Sequence, residues 1–178
     1  MQKITKYTIF QTKWGYFGLA GTENGLCRTQ LPGSKPEKIK SRLLKNLPNP
    51  QYDKSFCKIL QQQIIAYFKG DYIKFSRDIP LILDGFTSFG KSVLRTCREI
   101  ESGQTITYGK LAKKAGRPNA SRAVGSTLAK NPLPLIIPCH RIIRSDGKMG
   151  GFSAPGGITL KKKMLELESE ALNIYARR

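Results

Sequence analysis

The sequence predicts a chain in two parts: an α/β N-terminal part built on a small sheet, and a mostly α-helical C-terminal part with a helix-turn-helix. Three observations support this fold class. Short β-rich segments punctuated by glycine occupy residues 7–31, helical periodicity dominates from residue 88 onward, and a linker with Pro80 and Gly85 separates the two patterns. The expected domains are residues 1–85, a supporting domain with its linker, and residues 86–178, which hold every motif that suggests chemistry.

Three strands are predicted in the N-terminal part, where β-branched and aromatic residues are frequent: Tyr7–Gln11, Tyr16–Ala20 and Leu26–Leu31. Glycines at Gly15 and across Gly21–Gly25 are typical of hairpin turns, which predicts antiparallel pairing.

Helical spacing of apolar residues predicts six helices, at residues 34–47, 55–69, 88–100, 108–115, 118–130 and 159–171. Pro36 lies near the start of the first, Thr107 can cap the fourth, and Gly70 and Gly116 follow the second and fourth. The fourth and fifth helices, joined by a tight turn, form a helix-turn-helix pattern, although many such helix pairs bind no DNA. Ser145–Lys148 is predicted to form a hairpin turn.

Positive charge is spread along the whole chain: 31 Lys and Arg against 12 Asp and Glu give a net charge of +19. The first ninety residues hold 14 basic and 6 acidic side chains and the rest hold 17 and 6, so the excess is not a basic tail. This charge favours a phosphate-rich partner such as nucleic acid. A lysine-rich proteome, or an adaptation to heat or solubility, is the alternative explanation.

The four cysteines, Cys27, Cys57, Cys97 and Cys139, are far apart in sequence and include no Cys-x-x-Cys pair. The single histidine gives little material for a metal site, so we expect no metal. No other cofactor is expected either. There is neither a signal peptide nor an apolar run of about twenty residues, the length that spans a membrane. A working thiol needs a reducing compartment, so the expected location is the cytoplasm, or the nucleus in a eukaryote.

Cys139 is the candidate nucleophile. It precedes the only histidine, His140, and then Arg141, in an apolar run stiffened by three prolines that end at Pro138. We interpret the run as a buried strand in which nearby positive charge keeps the thiol partly as thiolate, the nucleophilic form. Neighbouring side chains of a regular strand point to opposite faces, so a bend at Pro138 or a water must link Cys139 with His140. The alternative is an inert cysteine in a core strand.

The helix predicted at residues 118–130 carries small residues on one face. The inward-facing set is expected to be Ala120, Ala123, Val124, Thr127 and Leu128. The other face then holds Ser121, Arg122, Gly125, Ser126 and Ala129. Glycine inside a helix costs about 1 kcal/mol relative to alanine. Gly125 therefore indicates either close packing within the protein or close approach to DNA.

Glu168 borders the apolar stripe of the last predicted helix. The stripe consists of Leu160, Met164, Leu167 and Ala171. A carboxylate at the edge of a core needs a partner. His140 is one candidate, because a carboxylate can orient an imidazole and stabilise its charged form. A surface ion pair with Lys161 or a nearby arginine is the other.

Pro-Cys-His-Arg at 138–141 stands among further motifs between about Phe86 and Glu170: Thr107–Ala112, Ser121–Gly125, Asn131–Pro132 and Gly156–Gly157. In order and spacing these motifs resemble the DNA alkyltransferases that repair O6-alkylguanine, the methylated-DNA–protein-cysteine methyltransferases. The resemblance implies an α/β N-terminal domain, a small antiparallel sheet with helices, and a mostly α C-terminal domain of winged helix-turn-helix type that carries the active site. It implies one irreversible transfer per protein molecule, from O6-alkylguanine or O4-alkylthymine in double-stranded DNA to Cys139.

The same resemblance implies a role for each catalytic residue. Cys139 is the acceptor, His140 takes its proton through water, and Glu168 polarises His140. Tyr108 helps to rotate the nucleotide and donates a proton to the purine ring. Asn131 ties the helix-turn-helix to the active-site segment, so alkylation of the cysteine is expected to loosen the fold. The expected protein is a monomer that can coat DNA cooperatively.

DNA contacts are implied for the helix at 118–130, which would enter the minor groove while Arg122 fills the gap left by the extruded base. The implied DNA-binding residues are Ser121, Arg122, Ala123, Gly125, Ser126 and Arg141. The implied pocket residues are Tyr108, Pro138, Met149 and Ser153. Ala154 and Pro155 lengthen the glycine-rich loop relative to some relatives, so the resemblance does not determine the width of the pocket.

Three rival classes are weighed against alkyl transfer. A non-catalytic relative that recognises alkylated bases would lack the cysteine at this place. A cysteine hydrolase with a Cys-His-Glu relay would turn over repeatedly and need no basic surface. A transcription factor would bind undamaged DNA by sequence. Cys139, the helix with Arg122 and the positive charge together favour alkyl transfer.

Overall fold

In the computed structural model, which describes residues 4–177, the chain divides into two compact units. The first unit ends at Ile82 and the second begins at Leu83. This division lies inside the predicted linker, a few residues before the predicted boundary at 85 and 86.

A four-stranded sheet forms the first unit, with strands β1 (Thr5–Thr12), β2 (Gly15–Thr22), β3 (Gly25–Gly33) and β4 (Pro50–Tyr52) in the order β3-β2-β1-β4. The first three strands pair as antiparallel hairpins, as the glycine pattern predicts, and Gly15 and Gly25 have φ of 119° and 136°. β4 pairs in parallel with β1. The sequence analysis missed β4, because three residues beginning with proline carry no strand pattern.

Helices α1 (Pro36–Leu44) and α2 (Lys58–Lys69) are both shorter than predicted. α1 ends before Leu47, since Asn46 has a left-handed backbone with φ of 59°. α2 starts after Ser55, since Cys57 has φ of 55°. Apolar side chains of this unit, among them Phe17, Leu43 and Phe68, are fully buried.

The predicted linker is partly ordered by β3. The Leu26 amide donates to the Pro80 carbonyl at 2.9 Å, and the Ile82 amide donates to the Leu26 carbonyl at 2.8 Å. The end of the first unit is therefore held by backbone pairing.

The second unit is mostly helical. Its elements are α3 (Ser88–Arg98), β5 (Ile106–Thr107), α4 (Tyr108–Lys114), α5 (Ser121–Leu128), a 3₁₀ turn (Cys139–Arg141), β6 (Ile142–Ile143) and α6 (Gly157–Ala176). β5 and β6 pair in parallel. No helix among residues 4–177 is both long and apolar enough to cross a membrane.

Side-chain caps fix the starts of two helices. The Thr107 hydroxyl accepts from the Lys110 amide at 3.2 Å, as predicted, and the Thr87 hydroxyl accepts from the Gly90 amide at 3.1 Å. α5 starts at Ser121, later than predicted, because Asn119 has φ of 69°. α4 and α5 form the expected helix-turn-helix.

Candidate active site

The segment predicted as an active-site strand is instead a single 3₁₀ turn, Cys139–Arg141. Pro138 precedes the turn, and its carbonyl accepts from the Arg141 amide at 2.9 Å. A 3₁₀ helix has about three residues per turn, so the side chains of this turn do not alternate between two faces as they would in a strand. The strand prediction is wrong: the chain bends at Pro138 into this turn. The bend alone does not join Cys139 to His140, because Nδ1 of His140 has no hydrogen-bond partner among residues 4–177.

Glu168 on α6 receives two of these three side chains. The Nε2 of His140 lies 2.7 Å from Oε1 of Glu168, and Arg141 donates from Nε to Oε2 at 2.9 Å and from Nη2 to Oε1 at 2.8 Å. The expected contact between Glu168 and His140 is therefore present. The ion pair is forked and buried, which fixes the orientation of both basic side chains.

Arg141 is not available to DNA. Its side chain is 7% exposed, and its remaining nitrogen, Nη1, donates to the Ile100 carbonyl at 2.5 Å. The prediction that Arg141 binds DNA is wrong, because its guanidinium holds Glu168 and the end of the α3 segment inside the unit. Arg141 acts on the site through Glu168.

The buried trio has a defined protonation pattern. Burial alone would raise the pKa of Glu168, but the hydrogen bonds from His140 and Arg141 and the charge of Arg141 outweigh it and hold that pKa well below its usual range. Burial lowers the pKa of His140 more than Glu168 raises it. At neutral pH the carboxylate is thus ionised against Arg141, and the imidazole is neutral.

A neutral His140 that donates from Nε2 to Glu168 leaves its other nitrogen, Nδ1, as a hydrogen-bond acceptor. Nδ1 is buried, and no hydrogen-bond partner for it exists among residues 4–177. The imidazole is therefore positioned to take up one proton, and the charge it gains would face a carboxylate that is already ionised.

Asn131 holds the sulfur and the chain around it. Its Nδ2 donates to Sγ of Cys139 at 3.2 Å and to the Ile137 carbonyl at 2.9 Å, while its Oδ1 accepts from the Leu133 amide at 3.0 Å. The expected tie between the end of the helix-turn-helix and the active-site segment is present. A donor aimed at sulfur favours the thiolate over the thiol.

Cys139 nevertheless rests as a thiol. Burial raises its pKa above the ordinary value of 9.0, and the Asn131 hydrogen bond and the Lys161 charge offset this only in part. The expectation that nearby positive charge keeps the thiol partly as thiolate is therefore not met by Arg141, since that guanidinium is turned to Glu168. A base must remove the proton when the reaction occurs.

Lys161 is a site residue that the sequence analysis missed as such. Its side chain is fully buried on α6, and its Nζ donates to the carbonyl of Ile142, which directly follows the 3₁₀ turn. The sequence analysis considered it only as a surface partner of Glu168, because it begins the run Lys161–Lys163. The available signal was spacing: Lys161, Met164 and Glu168 share one helix face, and that face is buried.

A cavity of about 670 Å³ opens beside Cys139. It is lined by Thr107, Tyr108, Gly109, Ser121, Arg122, Gly125, Leu128, Ala129, Cys139, Arg144, Ser145, Gly151, Phe152 and Ser153. Its size lies within the usual range of small-ligand sites. The predicted pocket residues Tyr108 and Ser153 line it.

Two predicted pocket residues do not line this cavity. Pro138 is buried, and its carbonyl closes the 3₁₀ turn. Met149 bridges Ile143 across the base of the 144–148 turn. Arg144, Ser145 and Phe152 take part in the lining instead. The sequence analysis missed these three, because loop residues carry no periodic signal that reports which cavity they face.

On α5, Val124 and Leu128 face the core as predicted, but Ala123 is exposed, so its inward placement was wrong. Arg122 and Ser126 are exposed as predicted, and Ser121 and Gly125 are half-buried at the cavity. A Cβ on Gly125 would meet one atom, Cε1 of Tyr108, at 3.9 Å, an ordinary contact. Packing within the described residues therefore does not require glycine there, which favours close approach of a partner.

The ring of Tyr108 lies against the backbone of Gly150, where a Cβ would collide with the tyrosine hydroxyl. Burial raises the pKa of Tyr108, and so does the electrostatic influence of Cys139 and Cys97. The phenol therefore keeps its proton at neutral pH and can donate it inside the cavity.

Comparison with known proteins gives concordant matches. A family model described as 6-O-methylguanine DNA methyltransferase, DNA binding domain, matches residues 88–170. A methylated-DNA–protein-cysteine methyltransferase of Methanosarcina acetivorans is 37% identical over 163 residues, covering 91% of this chain and 97% of the relative. One from Methanosarcina barkeri is 38% identical, covering 93% and 98%.

Solved structures give the same picture over both units. The Mycobacterium tuberculosis OGT in complex with DNA matches with a TM-score of 0.76 and 32% identity, covering 93% of this chain and 94% of that one. The O6-methylguanine-DNA methyltransferase of Pyrococcus kodakaraensis matches with a TM-score of 0.66 and 25% identity, covering 93% and 99%.

Proposed function

The chain belongs to the family of methylated-DNA–protein-cysteine methyltransferases, and on that basis we propose that Cys139 is its alkyl acceptor. The protein binds DNA and repairs it by transferring an alkyl group to a cysteine. One observation supports Cys139 over the other cysteines: it is the only cysteine among residues 4–177 that lines the cavity beside α5. The presence of Cys139 also argues against the non-catalytic, damage-recognising alternative.

The proposed encounter places α5 in the minor groove of double-stranded DNA. Arg122, exposed on α5, would occupy the gap in the base stack, and the damaged base would rotate into the cavity, because its O6 cannot be reached inside the duplex. The small residues around Gly125 would let the helix backbone approach the groove. Exposed Ser126 and Ala123 lie on the same face.

The chemistry proposed is an in-line displacement at the alkyl carbon. Nδ1 of His140 takes the Cys139 proton through a bridging water, and Glu168 stabilises the imidazolium that forms. The thiolate, held by Asn131, attacks the alkyl carbon while the carbon–O6 bond breaks. Tyr108 donates its proton to the purine ring, so the base leaves as neutral guanine, and the tyrosinate is reprotonated from the imidazolium.

The product explains the single turnover. The thioether on Cys139 has no leaving group that the site could expel, so each molecule reacts once without a cofactor. The cavity that admits a purine also admits the smaller pyrimidine ring, and O4-alkylthymine is therefore proposed as a second substrate. Action as a monomer that binds DNA cooperatively is proposed on the same family basis.

Intact-mass measurement after mixing with a duplex that carries one O6-methylguanine tests this function. We expect a gain of about 14 Da, the replacement of H by CH₃ on a thiolate, mapped to Cys139 and limited to one per molecule. The Cys139→Ser variant should gain nothing. Unmodified protein that still prefers the lesion would indicate damage recognition alone, and repeated release of product would indicate a hydrolase.

The Lys161→Met variant should transfer the methyl group more slowly than the wild type at neutral pH. The reason is that the Lys161 charge lowers the pKa of Cys139 and methionine fills a similar volume without charge. Single-turnover rates measure this, with Lys162→Met, an exposed neighbour, as the control. Equal rates for Lys161→Met and the wild type would show that the charge does not act on the sulfur.

A further inference from the structure

Two arginines line the cavity, Arg122 on α5 and Arg144 directly after β6, and no Asp or Glu of residues 4–177 lines it. The alkyl transfer itself needs no charge at Arg144. A cation beside a pocket that receives one nucleotide of DNA nevertheless has a natural partner, which is a backbone phosphate.

The backbone of Arg144 is held on both sides. Its amide donates to the Lys148 carbonyl at 3.0 Å, and its carbonyl accepts from the Gly147 amide at 3.1 Å. The preceding residue, Ile143, pairs with Thr107 of β5. The guanidinium therefore projects from a fixed point beside the cavity rather than from a loose loop.

The side chain of Arg144 is loosely committed. It is 60% exposed, and its Nη2 pairs at 3.1 Å with Oδ2 of Asp146, which is 40% exposed. An exposed pair of this kind contributes little to stability, because water competes for both charges. The guanidinium can leave Asp146 at low cost for a phosphodiester, whose two unesterified oxygens can accept two parallel hydrogen bonds from arginine.

We propose that Arg144 binds a backbone phosphate of the nucleotide whose base enters the cavity. This inference rests on the proposed function. Rotation of a nucleotide out of the duplex carries its sugar and flanking phosphates toward the cavity, whose lining includes the exposed Arg144. In the free protein the guanidinium of Arg144 pairs with Asp146. When DNA binds, the phosphate takes the place of Asp146. Arg122 fills the gap in the duplex, whereas Arg144 holds the nucleotide that has left it.

The first test compares Arg144→Gln and Arg144→Lys with Lys163→Gln, which removes the same charge from the exposed face of α6 outside the cavity lining. For duplex containing O6-methylguanine, we expect Arg144→Gln to bind about tenfold more weakly, and Arg144→Lys to recover part of the loss. The slope of log affinity against log salt should fall by about 0.7–0.9, one phosphate contact. Lys163→Gln should change affinity less than about twofold.

The decisive test removes the charge from the DNA instead. A neutral methylphosphonate is placed on the 5′ or the 3′ side of the lesion, in separate duplexes. At one of the two positions the wild type should lose about tenfold in affinity, and Arg144→Gln should lose nothing further, as in a double-mutant cycle. If the loss from Arg144→Gln and the loss from the methylphosphonate multiply at both positions, the two groups act independently and the proposal is overturned.

A phosphate-free substrate separates this role from a structural one. The nucleoside O6-methyl-2′-deoxyguanosine carries the same base, so the wild type and Arg144→Gln should methylate Cys139 at equal rates. A slower reaction of the variant with the nucleoside would mean that Arg144 shapes the pocket, which contradicts the proposal. Wild-type protein that gains no methyl group from either substrate would instead refute the proposed function.

Discussion

Replacing Glu168 with alanine is expected to destabilise the second unit by about 3–5 kcal/mol, the cost of breaking a buried ion pair. The carboxylate is 1% exposed and accepts from both Arg141 and His140. Without it, the guanidinium of Arg141 stays in the interior and keeps, among the described residues, the hydrogen bond to the Ile100 carbonyl. Urea unfolding measures the change in the free energy of unfolding.

Two further variants identify the cause. Glu166→Ala removes an exposed carboxylate of the same helix, 3.8 Å from Lys162, and should cost at most about 0.5 kcal/mol. Glu168→Leu combined with Arg141→Met removes both charges and should recover part of the loss, because no buried charge then lacks its partner. If Glu168→Ala and Glu166→Ala unfold alike, the buried pair does not hold this unit together.

The same carboxylate predicts the sign of a pH dependence. Since the folded pKa of Glu168 lies below its ordinary value of 4.5, its contribution to stability is present in full above that value. The contribution is lost as the pH falls below 4.5 toward the folded pKa. Glu168→Ala lacks this component, so its melting temperature should fall less steeply in acid than that of the wild type.

Replacing His140 with glutamine is expected to slow methyl transfer by about 10²–10⁴-fold at neutral pH, the usual contribution of a general base. Glutamine can still donate to Glu168 but cannot take the proton of Cys139. Because burial raises the pKa of that thiol above 9.0, its thiolate fraction grows with pH throughout the neutral range. The log rate of the variant should therefore rise with a slope of about one between about pH 7 and 9.

The wild type should behave differently over the same range. The pKa of His140 is lowered from 6.5, so the imidazole is already neutral at pH 7 and the rate should be flat. Below that pKa the imidazole is protonated and the wild-type rate should fall. Single-turnover rates across pH provide the measurement, with melting curves to verify folding. A flat profile for His140→Gln would show that another group removes the proton.

Elements with a long repeat could be predicted from the sequence. The alternation of β1–β3 and the spacing of the helices indicated where they lie, and the cap at Thr107 marked the start of α4. β4 and the 3₁₀ turn have three residues each, too few to show a period. The strand prediction for Cys139 failed because β-branched neighbours and prolines suit both an extended chain and a buried turn.

Local chemistry in the site was predictable, but the partners of its charges were not. Cys139, His140 and Glu168 could be found from residue types and order, and the expected contact between His140 and Glu168 is present. Arg141 and Lys161 exchanged their expected places: the arginine next to the nucleophile is buried on Glu168, and the lysine of a basic run is buried near the sulfur. Which of two cations becomes buried depends on the tertiary placement of α6, which no local pattern contains.

The closed setting of the Cys139 thiol has a consequence for the protein between encounters with damage. A molecule that reacts once cannot replace a nucleophile lost to a stray oxidant or a free alkylating agent. Such reagents attack accessible thiolates first, and Cys139 is 8% exposed with a raised pKa. The burial that makes a base necessary for catalysis therefore also protects the Cys139 thiol of the unreacted protein. The thiol becomes reactive only when the substrate is bound.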